Sequence, residues 1–323
     1  MTIVHITVLI SCGLAATFIV LVIRRWRSEQ LAAERKSIQT LITKSYIQRI
    51  SGTRCEESGA RWRKSLRLEV VTSLLLLLRG REREQLMQLA ELDGLLDVSL
   101  ALSRSWRRAR RIDAIRILQL AGSDACIARL STMMASDRSL DVRLNAAFAL
   151  ASLGQLPVPR ETIALLGIFE RKPSRLDVAV LRASAPEYAQ HLQSILGDAM
   201  LHTMRATIID ALGWSGDMSM LPVLEQAAAT DDAELRCAAL RAAAQLGHPS
   251  TGTWVVRLLD DAVAIVRLQA ANSCRTLRLR AAIPRLSEML NDEDIWVRLR
   301  ASEALHTMCP PSDAGLGIAE RAA

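Results

Sequence analysis

The chain has 323 residues, 50% of them hydrophobic and 23% charged, with 41 Lys+Arg against 34 Asp+Glu for a formal net charge of +7. That apolar fraction excludes a wholly disordered chain. Six Trp, three Phe and two Tyr, together with fifteen Gly and nine Pro, are too few for an all-β fold that turns every ten residues, so the composition points to helix.

From Ile3 to Ile23 no Asp, Glu, Lys or Arg occurs, and at about 1.5 Å per residue such a helix spans roughly 30 Å. The expectation is one N-terminal transmembrane helix over residues 1–23. Arg24, Arg25 and Arg27 with Trp26 follow at once, which by the positive-inside rule sets the N-terminus out and the remainder in the cytoplasm, at the inner (plasma) membrane. A cleaved signal lacks its basic n-region here, and a lipobox reading of Leu9 to Cys12 conflicts with the apolar run beyond it. Ser11 with Ala15 and Cys12 with Ala16 have the small-residue spacing of paired membrane helices, a pattern also common in single spans.

Residues 24–60 read as a basic juxtamembrane helix and linker. Leu31, Ile38, Leu41, Ile42, Ile47 and Ile50 continue the helical pattern of the first stretch, Ser51-Gly52-Thr53 ends it, and Ser58-Gly59 marks a second break. Residues 24–116 carry 21 Lys+Arg and 11 Asp+Glu, whereas the chain beyond carries 20 and 23. The excess positive charge is thus confined to the first third, which suits an anionic membrane surface better than nucleic acid. Val70 to Leu78 is apolar but too short to span, and reads as a buried helix.

Beyond this point the chain repeats. Arg205, Arg236, Arg267 and Arg298 recur at one constant interval, with Ala239, Ala270 and Ala301 three places after the last three and Leu235, Val266 and Val297 just before them. Earlier copies fall at Arg111 and Arg143, and a degenerate one near Arg175. Val266, Ala270, Cys274 and Leu277 trace one apolar stripe of a helix, and a first helix precedes it, as in Leu221 to Ala229 and Ile283 to Leu290. Two helices per unit, neither able to bury its stripe alone, predict an all-α α-solenoid over residues 61–309, with a flexible tail over 310–323.

Pro284, Asp292, Val297 and Arg298 resemble the HEAT-repeat consensus. That resemblance implies a proline that bends the first helix and an Asp/Arg pair, six apart, that ladders neighbouring repeats. Asp137 with Arg143, Asp261 with Arg267, and Asp292 with Arg298 keep the spacing, while Thr230 replaces the aspartate before Arg236. The short period and the endings Ala239-Leu240 to Leu246-Gly247 and Ala149-Leu150 to Leu153-Gly154 resemble the subclass named after phycobilisome lyases.

Chemistry is sparse. No phosphate-binding glycine loop, dinucleotide fingerprint, HExxH, GxSxG or paired CxxC occurs. Cys12, Cys55, Cys126, Cys237, Cys274 and Cys309 are scattered and read as free thiols in a reducing compartment. His306 with Cys309 lacks a second ligand pair, and Asp231-Asp232 and Asp292-Glu293-Asp294 sit where helix caps belong. Trp106, Trp254 and Trp296 fall near helix starts, where packing between repeats is expected of them. Only four of the basic residues are lysines (Lys36, Lys44, Lys64, Lys172), and with the abundant Ala and Leu this composition suggests a GC-rich bacterial genome.

The reading is therefore non-enzymatic, without cofactor, metal or small-molecule substrate: a membrane-anchored scaffold or regulator that binds a protein partner, for instance in a polysaccharide-synthesis or signalling complex. In similar solenoids the second helices line the concave side, which leaves Arg241, Gln245, Gln269, Asn272, Thr276, Arg300, Glu303 and Thr307 facing outward as partner-binding candidates. The alternatives are a chromophore lyase or isomerase of the phycobilisome-lyase type and a nucleic-acid-binding HEAT-like protein, the latter opposed by the net −3 of the repeat half.

Overall fold

The structure is a computed structural model. It describes residues 2–52, 62–198 and 200–308, with the side chains of 2–17 and of residue 170 excepted. Among the described residues all regular structure is helical. The helices are α1 (Thr2–Ile50), α2 (Lys64–Leu77), α3 (Gly80–Leu92), α4 (Leu95–Leu102), α5 (Arg108–Ala121), α6 (Asp124–Ser136), α7 (Leu140–Ser152), α8 (Pro159–Leu166) and α9 (Arg175–Ile195), then α10 (His202–Leu212), α11 (Leu221–Ala228), α12 (Ala233–Leu246), α13 (Gly252–Arg257), α14 (Ala264–Leu277), α15 (Ile283–Glu288) and α16 (Ile295–Met308). They form two compact units, residues 1–121 and 122–323.

In the first unit α1 runs unbroken to Ile50, and the turn at Ser51 and Gly52 ends it where the sequence places the break, with Gly52 at φ +71° where glycine sits without strain. Among the described residues no helix is long and apolar enough to cross a membrane. The side chains of 3–17, most of the expected span and including Cys12, lie outside the described residues. The transmembrane helix, the inner-membrane localisation with its N-out topology, and the membrane partner are accordingly corrected. The second break, at Ser58-Gly59, and the tail from Pro310 also lie outside the described residues.

The core of this unit gathers Ile42 and Tyr46 of α1, Leu68, Val71, Leu74 and Leu75 of α2, Leu86 and Ala90 of α3, and Leu95 of α4. The leucine run is therefore a helix with one buried side, as its length predicts, but Leu76 and Leu77 stay exposed. A polar cluster closes the core. The Tyr46 hydroxyl donates to Asp93 Oδ2 at 2.7 Å, Arg49 donates to both Asp93 oxygens, and Arg67 donates to the Tyr46 oxygen and also pairs with Asp93. Burial and the neighbouring carboxylate push the Tyr46 phenol up to about 12. Each member satisfies another, which is what makes a buried charge tolerable.

In the second unit the helices pair and stack. α11 packs on α12, α13 on α14 and α15 on α16, while α10, α12, α14 and α16 contact one another in succession. The sequence explains each pair. Asp232 caps α12 by accepting from the amides of Glu234 and Leu235, and Gly247 at φ +74° ends it. Ala238, Ala239, Ala242 and Ala243 are fully buried, so neighbouring helices come close. One close approach is at Gly213, where an added Cβ would stand 2.4 Å from the Ala242 Cα.

Two expectations shift in detail. Pro222 and Pro284 occupy the first turns of α11 and α15, each after a 3-10 turn, where the absent amide hydrogen is not needed. They begin the helices rather than bend them. The blurred stretch 155–200 forms α8 and α9. α9 opens on a Ser174–Asp177 capping box and kinks after Pro186 at Tyr188, whose hydroxyl donates to the Leu156 carbonyl at 2.8 Å. Of the three tryptophans, Trp254 is buried as expected, whereas Trp106 and Trp296 are 73% and 60% exposed.

Candidate functional site

The repeat arginines build a ladder. Arg236 grips Asp261 through Nε and Nη2 at 2.7 and 2.9 Å, and Arg267 grips Asp292 the same way at 2.8 Å each. The remaining nitrogen, Nη1, donates backward to the carbonyl six places earlier: Thr230 for Arg236, Asp261 for Arg267, Asp292 for Arg298 and Ser105 for Arg111. Arg236 and Arg267 thus each use one edge within their own repeat and the other on the aspartate 25 residues ahead. The six-residue pairs expected from the sequence exist at Asp261 and Asp292, but through the aspartate's backbone, and the carboxylate belongs to the preceding arginine.

This division of labour explains Thr230. Arg236 needs only its carbonyl, so a threonine serves there. Arg205 stands to Thr230 as Arg236 stands to Asp261, and it is left with a buried Nε that has no acceptor. The hydrogen bond from Arg267 holds the Asp292 carboxyl below the usual carboxylate range against the opposing effect of burial. The same aspartates cap their own turns, Asp261 accepting from the Val263 amide and Asp292 from that of Asp294. Among the described residues no group of His, Cys, Asp and Glu could hold a metal. Cys126, Cys237 and Cys274 are free and buried, and burial pushes the Cys274 thiol up to about 12. Cys12, Cys55 and Cys309 lie outside the residues whose side chains are described.

The eight candidate residues fall on α12, α14 and α16, three helices in mutual succession. Gln245, Thr276 and Thr307 are exposed at the same register of their repeats, and Gln269, Asn272, Arg300 and Glu303 are half-buried. Four of the eight pair with other side chains, and the Thr276 and Thr307 hydroxyls donate to the carbonyls of Asn272 and Glu303 one turn back. Arg241 Nε donates to Asp210 Oδ1 at 2.9 Å, opposite Arg182, which donates to Oδ2 at 2.8 Å, so one buried carboxylate ties α9, α10 and α12. Arg300 pairs with Glu303 one turn away. Asn272 accepts from Arg275. Between α12 and α14 a groove of about 320 Å³ is lined by Ala233, Glu234, Cys237, Arg241, Ile265 and Gln269, placing two of the candidates at its walls.

Missed by sequence reasoning are Asp210, Arg182 and the Tyr46–Arg67–Asp93 cluster. The Tyr46–Arg67–Asp93 contacts and the Arg182–Asp210 pair, 21 to 47 residues apart, lie off the repeat period, whereas Asp210 and Arg241 stand one full repeat, 31 residues, apart. Arg182 also stacks over Trp214 at 5.2 Å.

The stacked helix pairs with an Arg–Asp ladder define a helical-repeat protein. Residues 189–274 match the family model described as HEAT repeats, and residues 282–311 match the model described as HEAT repeat, so the second unit contains HEAT repeats. No curated protein matches the chain. Solved structures similar to it include human deoxyhypusine hydroxylase in complex with glycerol, at 14% identity over 86% of this chain and 98% of that one, with a TM-score of 0.34. Another is the complex of CpcE and CpcF of phycocyanin lyase from Nostoc sp., at 21% identity over 70% and 92%, with a TM-score of 0.38. A third is Kap121p bound to Nup53p, at 14% identity over 84% and 41%, with a TM-score of 0.34. A HEAT-repeat fold hosts more than one kind of function, so enzyme activity stays open alongside binding.

Proposed function

We propose that this protein is a HEAT-repeat scaffold or regulator whose second helices α12, α14 and α16 bind a protein partner. The observation that supports this is the placement of the eight candidates. They recur along three stacked helices whose buried positions keep to small and medium residues, apolar except for Ser273, and two of them border the α12–α14 groove. The repeats supply an extended surface rather than an enclosed pocket. The partner's class is protein, and the row mixes amide, hydroxyl and charged groups suited to hydrogen bonding with a polypeptide.

The test replaces Gln245, Gln269, Thr276 and Thr307 together by alanine, leaving the ion-paired Arg241 and Arg300 in place. The variant is expected to keep its melting temperature and to lose the proteins that copurify with the wild type. Unchanged copurification would overturn the assignment of this face.

A further inference from the structure

Among the described residues the repeat array ends on α16 with one rung unfilled. In α12 the positions facing the next repeat are Cys237, Leu240 and Ala243, all buried beneath α14. In α14 the equivalents Ala271 and Cys274 are fully buried beneath α16, and Leu268 is half-covered. In α16 the corresponding row is Leu299, 43% exposed, Ser302, exposed, and Leu305, half-buried, with Ile295 64% exposed beside them. Here the outer face is apolar at Ile295, Leu299 and Leu305.

The same edge carries a half-used guanidinium. Arg298 Nη1 donates to the Asp292 and Glu293 carbonyls at 2.7 and 3.1 Å, as Arg267 does to Asp261 and Ala262. The Nε and Nη2 edge, which grips a carboxylate in Arg236 and Arg267, has no acceptor among the described residues. Apolar row and open fork are continuous with the interface that joins the preceding repeats. What fits them is what fits there: a two-helix unit with an aspartate or glutamate in its turn.

The geometry points to this edge as a docking surface for a helical hairpin of another protein, whose turn carboxylate completes the Arg298 rung while its second helix covers Leu299, Ser302 and Leu305. This site is separate from the face proposed above, and either stands if the other fails.

A probe is available in the chain's own sequence. A labelled synthetic peptide of residues 279–308 carries the α15–α16 unit that fills the equivalent rung one repeat earlier. Titrated against the full-length protein, it is expected to bind saturably in the micromolar range and to gain helicity. R298E in the protein, or D292R in the peptide, should each weaken binding at least tenfold. Combining the two swapped charges should restore most of the loss, and S302E, which leaves the rung intact, should also block binding. Four results would each overturn the proposal. These are no binding up to about 1 mM peptide, no recovery in the charge swap, a tenfold gain on removing residues 309–323, which would make the chain's own tail the occupant, or an R298E-sensitive dimer in sedimentation, which would make it a second copy.

Discussion

At the scale of single residues, the fold turns on a few contacts that leave little room. Gly213 has ordinary helical torsion angles, so its need for glycine is not conformational. It comes from the Ala242 backbone, whose Cα, carbonyl carbon and oxygen would all lie within 2.9 Å of a new Cβ. Backbone cannot rotate away as a side chain can, so G213A must separate α10 from α12. A loss of about 2–3 kcal/mol is expected from such overpacking, read as a shift of the urea midpoint without loss of helical signal. The carboxylates set the pH response. Asp292 is lowered by its hydrogen bond from Arg267, and in Asp93 and Asp177 burial opposes but the surrounding arginine, tyrosine and serine donors prevail, so all three titrate below the ordinary carboxylate range. A lowered folded value means the stabilisation is present above the unfolded carboxylate pKa and is lost as pH falls through the folded one. Urea midpoints should therefore be flat near neutrality and fall steeply below about pH 4, with D292N losing less on acidification than the wild type.

At the scale of elements, the ladder is the joint between repeats, and its defect at Thr230 is informative. Arg205 lies in register with Arg236 and Arg267 but has Thr230, 25 residues ahead, where they have aspartate, and its buried Nε has no acceptor. Thr230→Asp offers Arg205 the missing carboxylate while keeping the carbonyl that Arg236 uses. A gain of about 1 kcal/mol is expected, between the value for an exposed ion pair and that for a buried charge-assisted hydrogen bond, measured by denaturant unfolding. The repeat period, the helix pairs and the cap aspartates were legible because they are local or periodic. The arginine's partner was not, since the spacing of six is shared by a real contact through the backbone, and only geometry shows the carboxylate of the aspartate 25 residues ahead taking the other edge. Arg241 meets the same limit. It occupies an outward repeat position, yet Asp210, at the same position one repeat earlier, engages it, a contact that lies on the period but that only geometry establishes.

At the scale of the whole molecule, the two units differ in how they hold together. The first has an irregular core closed by the Tyr46–Arg67–Asp93 cluster, and the second a periodic one in which small residues and rungs recur. Apolar length alone suggested an anchor from Ile3 to Ile23, but among the described residues no helix is long and apolar enough to cross a membrane. The +10 of residues 24–116 therefore loses the membrane argument and stands as a local charge excess, several of whose members, Arg35, Arg49 and Arg67 among them, are occupied by acidic partners within the unit. The candidate face was legible as a list of positions, since a fixed period carries outward residues along with buried ones. Whether each is available was not, because the engagement of Arg241 by Asp210 one repeat earlier and of Arg300 by Glu303 one turn away is established only by geometry.

The central claim is that α12, α14 and α16 present one partner surface. Photo-reactive amino acids placed singly at Gln245, Gln269 and Thr307 in the full-length protein, and at Glu225 on α11 as a control, test it position by position in the native cell. The account predicts the same crosslinked protein from the three second-helix positions and none from Glu225. Different products from the three, or equal yield of the same product from Glu225, would contradict it.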